Sequence, residues 1–269
     1  MLGFGLTFGA VLGSLILPAI LALLLISLAA RFVSARYLAA FTVGIYLWFF
    51  TDTIGDASYL DLQQGLGGNV WHLVLWVVFA AGLIGMLSLD RNLFAAPASG
   101  ERADFAVPIL VAIAVGIHGF GEGAAIGSTA ALSSSTNILD AFGGAAAGAA
   151  FVIHKALEPM MVGAAYWVYA KDHAKDSVGR LRDLIVLAVA FSLPGIIGGG
   201  AAYYLVQVYP NADFTYIFAL GLGTSVYALL RLVGPLFQSS GSLRYDSTKV
   251  AIAVLVGFTF LYLAALLHS

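Results

Sequence analysis

Read from its first residue, the chain alternates long apolar runs with short polar breaks, and no run shows the every-other-residue alternation of a half-buried strand. Runs of about 20 apolar residues, the length that crosses a hydrocarbon core roughly 30 Å thick, fall at 4–30, 37–59, 70–89, 105–130, 138–170, 184–208, 214–237 and 250–267. Continuous hydrophobicity argues against a transmembrane barrel, whose strands alternate lipid-facing and lumen-facing residues. The pattern predicts an all-α integral membrane protein of eight transmembrane helices, forming a single transmembrane domain over 1–269. The first run has no basic stretch ahead of it and no evident cleavage motif, so it is expected to be a membrane helix and not a removed signal.

Composition fixes the solvent. The chain is 61% hydrophobic and only 10% charged, whereas soluble domains carry roughly 25% charged residues. A net charge of -2 says little about partners; the placement of the charges says more. Arg31 and Arg36, Arg91 and Arg102, Lys171, Lys175, Arg180 and Arg182, then Arg244 and Lys249 occupy alternate breaks, and the breaks around Asp61, Ser134 and Asn211 hold no Lys or Arg. The positive-inside rule then places both termini outside a multi-pass protein of the cell (plasma) membrane. Its expected partners are a metal ion and the lipid bilayer, with no nucleic acid, and a homodimer is left open. The absence of cysteine excludes disulfides and thiolate metal sites, so a metal would be held by imidazole, carboxylate or carbonyl groups.

Two stretches break the apolar rule in the same way. VGIHGFGEGAAIG, 115–127, and VIHKALEPMMVG, 152–163, each place a histidine four residues before a glutamate, His118 with Glu122 and His154 with Glu158. Four residues is one helical turn, so each pair shares a face and offers a nitrogen and an oxygen ligand. At 1.5 Å per residue, both pairs fall near the middle of their helices, where an ionisable side chain costs about 2.5–3.5 kcal/mol on insertion scales. Lys155 adds a third charge at the same depth. The residues themselves leave two readings open: an ion-pair network tying two helices together, or a metal site. Two imidazoles and two carboxylates suit Zn²⁺, and also Fe²⁺ or Mn²⁺, whereas Ca²⁺ and Mg²⁺ favour all-oxygen sets.

HGFGEGAAIG resembles the fourth-helix motif of the ZIP (Zrt/Irt-like) metal transporters, His-Asn-x-Pro-Glu-Gly followed by small residues. HKALEP resembles their fifth-helix motif, in which a ligand precedes a Glu by four. The resemblance extends to the whole chain in topology and to helices four and five in motif. It implies a secondary transporter that carries one divalent ion toward the cytoplasm by rigid movement of a metal-carrying helix group against a scaffold group, with His118, Glu122, His154 and Glu158 as its ligands. Gly119, Gly121, Lys155 and Leu193 stand where the family has Asn, Pro, an often acidic residue and a Glu. By resemblance the missing oxygens belong to a second metal position, so a single ion is expected.

Lys155 is expected to act as a coupling or site-modulating group, its ammonium pairing with Glu122 or Glu158 when no metal is bound and moving aside when metal enters. Pro159 cannot donate to the carbonyl of Lys155, nor Pro194 to that of Ala190, so both free a backbone oxygen and favour a bend. Asp52 and Asp56, one turn apart toward the outer end of helix two, are candidate entrance groups, and solvated carboxylates at a helix end explain them as well. A second function class stays open, an intramembrane metal-dependent hydrolase with one metal activating water.

Overall fold

The computed structural model describes residues 3–63, 70–94, 101–173, 176–212, 214–237 and 247–265, with the side chains of all of these except 49, 51–63, 70–72, 93, 94, 101–104, 237, 247, 264 and 265. The described residues are all-helical. The helices are α1 (Phe4–Ala29), α2 (Ala35–Gln63), α3 (Val70–Phe94), α4 (Glu101–Leu132), α5 (Ala145–Leu157), α6 (Pro159–Tyr169), α7 (Ser177–Val208), α8 (Thr215–Phe237) and α9 (Ser247–Ala265), with a short 3₁₀ turn at Ile138–Phe142. Five segments among the described residues are long and apolar enough to cross a membrane: Phe4–Ala29, Leu73–Asn92, Phe105–Leu132, Ser177–Val208 and Thr215–Leu236. Their outward faces carry large apolar side chains such as Leu17, Trp76, Ile84 and Leu230, more than half exposed. That surface is stable against lipid and not against water.

The expected fifth helix, 138–170, is not one helix. Asn137 caps the 3₁₀ turn by accepting from the Leu139 amide at 3.1 Å, and Gly143 ends it at φ 82° with Gly144 following at φ 106°. Those angles suit glycine and stop the helix from running on. α5 starts only at Ala145 and ends at Leu157 with Glu158 as its C-cap, because Pro159 has no N–H to continue the ladder. Glu158 itself keeps helical angles, φ −57° and ψ −47°, so α6 follows directly and the two short helices form one interrupted column. Pro194 has a milder effect, since α7 passes through it as a single helix.

Glycine sets the closest packing. α4 packs most extensively against α7, and a Cβ at Gly123 or Gly127 on α4 would overlap the carbonyl oxygen of Gly195 or Gly199 on α7. The same backbone-to-backbone approach joins α2 to α9 at Gly44 and Gly257, and α3 to α8 at Gly82 and Gly223. Between lipid-solvated helices, dispersion and such close contact replace the hydrophobic drive. α4 also meets α8, where Thr224 Oγ1 donates to the Ala114 carbonyl at 2.6 Å.

The basic residues gather at one end. Arg36 donates to the Leu236 carbonyl, Arg231 pairs with Asp90, and Tyr169 donates to the Arg231 carbonyl at 2.6 Å. These contacts join the start of α2 to the ends of α3, α6 and α8. Lys155 stands apart in the interior, while the side chains of Arg102, Lys175 and Arg244 lie outside the described residues.

Gly123→Ala should push α4 off α7 and cost about 1–3 kcal/mol, the usual penalty for overpacking. Gly85→Ala, with open space around its Cβ, should be neutral or slightly stabilising through helix propensity. Melting midpoints in detergent check both, and equal effects at the two positions would contradict the packing described.

Candidate functional site

The site forms where α4 faces the end of α5. α4 stays helical through a run rich in small residues, and His118 lies near the middle of its 32 residues. One turn on, Glu122 places Oε1 4.0 Å from His118 Nε2. On α5 the equivalent pair is closer, with His154 Nε2 2.9 Å from Glu158 Oε1. Glu158 sits at the interruption before Pro159, and its amide still donates to the His154 carbonyl at 3.2 Å. The Lys155 carbonyl, one residue further along, loses its helical partner to the proline.

Lys155 joins the two helices. Its side chain is fully buried, and Nζ donates to Glu158 Oε2 at 2.7 Å while pairing with Glu122 Oε2. The ammonium also lies 5.9 Å from the ring centroids of Phe151 and Phe191, near enough for cation–π attraction. Three charges that would each be costly alone are thus combined into one hydrogen-bonded group. Removing either kind of partner would strand a charge where solvent cannot compensate.

Of the four predicted ligands, His118, Glu122 and Glu158 each offer an atom within 4.8 Å of the others. His154 lies beside them, its ring turned to Glu158. A nitrogen and two carboxylate oxygens at this separation match the chemistry of a small transition-metal ion. The same carboxylates, as they stand, are held by an ammonium. The arrangement can therefore do two things: lock α4 to α5, or hold a cation in competition with Lys155. Asp52 and Asp56 lie on α2, but their side chains fall outside the described residues.

Several neighbours were not singled out from sequence. Gly221 of α8 approaches the backbone of His118 so closely that a Cβ there would come within 2.5 Å of the His118 Cα, and the Phe218 ring stands T-shaped to the His118 imidazole at 5.9 Å. They lie one helical turn apart on a face of α8 that the apolar pattern does not distinguish from lipid-facing positions. No protein-family model and no curated protein matches this chain.

Lys155→Gln should destabilise the fold by about 3–5 kcal/mol, as expected when one partner of a buried ion pair is removed. Adding Glu122→Gln should restore part of that loss, because one carboxylate then remains and His154 still bonds it. Strictly additive losses in thermal unfolding would mean that the three side chains do not act together.

Proposed function

We propose that the chain is a secondary transporter of a divalent transition-metal ion, Zn²⁺ foremost and Fe²⁺ or Mn²⁺ as further substrates, moved toward the cytoplasm in the manner of the ZIP proteins that its motifs resemble. The observation that carries this reading is the convergence of His118, Glu122 and Glu158 from two helices within 4.8 Å, inside a protein whose surface is apolar. Ionisable groups at such depth are a default sign of an ion or substrate path. The interrupted α5–α6 column supports it, since discontinuous helices beside buried charge are a recurring feature of transporters.

In this reading α2, the α5–α6 column and α9 cross the membrane along with the five segments described above, giving eight crossings. The basic end faces the cytoplasm and both termini lie outside, in the plasma membrane. α1, α4, α5–α6 and α7 form the group that carries the ion. α2, α3, α8 and α9 form the group they move against. Lys155 supplies the cation that holds Glu122 and Glu158 together between transport events, and an entering ion displaces it.

Zinc uptake into proteoliposomes tests the proposal. Replacing His118, Glu122 or Glu158 by Ala should lower uptake at least about tenfold, and replacing His154, which orients Glu158, should lower zinc affinity within the roughly 10–100-fold range of outer-sphere partners. Lys155→Gln should tighten zinc binding, because the competing cation is gone. In the same vesicles, single cysteines at Ser134 and Ser177 should react with an impermeant reagent from opposite faces. Normal uptake in two of these four variants would place the site elsewhere. Tight metal binding without flux of Zn²⁺, Fe²⁺ or Mn²⁺ would favour the hydrolase.

A further inference from the structure

Well away from the His/Glu group, at the basic end, the last turns of α1 and α6 and the first turns of α7 enclose a cavity of about 380 Å³. That lies within the roughly 300–1,000 Å³ of small-molecule sites. Its polar lining is Ser27, Arg31, Tyr166, Trp167, Ser177 and Arg180; its apolar lining includes Leu24, Leu28, Leu181 and Leu184. The polar part is held firmly. Trp167 Nε1 donates to Ser27 Oγ at 3.3 Å, Ser27 Oγ donates to the Leu23 carbonyl at 2.7 Å, and the Arg180 guanidinium lies 5.9 Å from the Trp167 ring centroid.

The carboxylates nearby are engaged elsewhere. Asp183 is buried and its Oδ2 is bonded by the Tyr166 hydroxyl at 3.2 Å and by His173 Nδ1 at 3.0 Å. Asp176 caps α7, accepting from the Gly179 amide at 2.8 Å. Among the described residues, neither Arg31 nor Arg180 has a carboxylate within ion-pair distance. Two guanidinium groups therefore line one cleft with no carboxylate in ion-pair contact among the described residues, an arrangement that an anion would complete. Guanidinium forks match phosphate geometry, and the Ser177 hydroxyl adds a donor.

The apolar side decides which anion. Leu24, Leu28 and Leu181 line the cavity and are 44%, 51% and 48% exposed, so apolar surface suited to hydrocarbon adjoins the charged cleft. Inorganic phosphate would use only the charged part. An anionic phospholipid uses both, with its phosphate between Arg31 and Arg180 and an acyl chain along the leucines. Basic clefts between membrane helices hold anionic headgroups for this reason. We propose that this cavity is a binding site for an anionic phospholipid, joining α1, α6 and α7 at the basic end. The site stands independently of what the His/Glu group carries.

The test uses the full chain in detergent with dioleoyl-phosphatidylglycerol, dioleoyl-phosphatidylcholine or inorganic phosphate as the probe, reading lipid retention by native mass spectrometry and the melting midpoint. Phosphatidylglycerol should bind saturably and raise the midpoint, while phosphatidylcholine and phosphate should not. Arg31→Gln with Arg180→Gln should lower phosphatidylglycerol retention about tenfold or more through lost charge attraction, and Arg182→Gln, outside the cavity, should leave it unchanged. Arg31→Gln alone, lying beyond the end of α1, gives the same readout with a smaller loss should the double variant fail to fold. Equal retention of the two lipids, or unchanged retention without the arginines, would overturn the proposal. The same midpoint shift with phosphate alone would assign the cleft to the free anion instead.

Discussion

An ammonium buried among carboxylates governs this protein's interior. Lys155 Nζ meets Glu122 from α4 and Glu158 from its own helix, and His154 completes the second carboxylate at 2.9 Å. In an apolar interior each charge is tolerable only because the others are there, so neither α4 nor α5 can rotate or slide without exposing an uncompensated group. The same dependence makes the cluster responsive. Any cation that replaces the ammonium takes over its role with both carboxylates at once.

Such a cluster needs helices that hold their distance, and glycine provides that. The α4–α7 contact brings Gly123 and Gly127 against carbonyl oxygens of α7, which fixes the depth and rotation of His118 and Glu122 from behind. On the other side, Gly221 lets α8 touch the backbone of His118, and Phe218 closes over its ring. The contacts of α4 with α7 and with α8 thus differ in kind. One is a backbone seam at several glycines, and the other combines one close backbone approach at Gly221 with the Phe218 ring and the Thr224 hydrogen bond. A motion of one helix group past another would have the second interface as its sliding face.

Much of this was legible from residue types alone. The two His-x-x-x-Glu pairs, the burial of His118, the break at Pro159 and the pairing of Lys155 with glutamate follow from helical spacing, from the missing proline N–H and from the cost of buried charge. The run 138–170 was misread as one helix because a hydrophobicity count treats Gly143 and Gly144 as apolar, although their positive φ values end the 3₁₀ turn. Spacing likewise put both histidines one turn from a glutamate. It did not reveal that His154 bonds its glutamate at 2.9 Å while His118 stands 4.0 Å from its own, since that difference comes from side-chain rotamers and from neighbouring helices. Contact between Lys155 and both carboxylates depends on the approach of α4 to α5, which no single helix encodes.

In the proposed function Lys155 and a transition-metal ion compete for Glu122 and Glu158. An anomalous difference map from zinc-soaked crystals, compared with the metal-free protein, examines it most directly. The account predicts one strong peak about 2.0–2.2 Å from a His118 nitrogen and from oxygens of Glu122 and Glu158, with Lys155 Nζ withdrawn beyond ion-pair distance of at least one carboxylate. A zinc peak elsewhere, with the ammonium still bridging both glutamates, would contradict it.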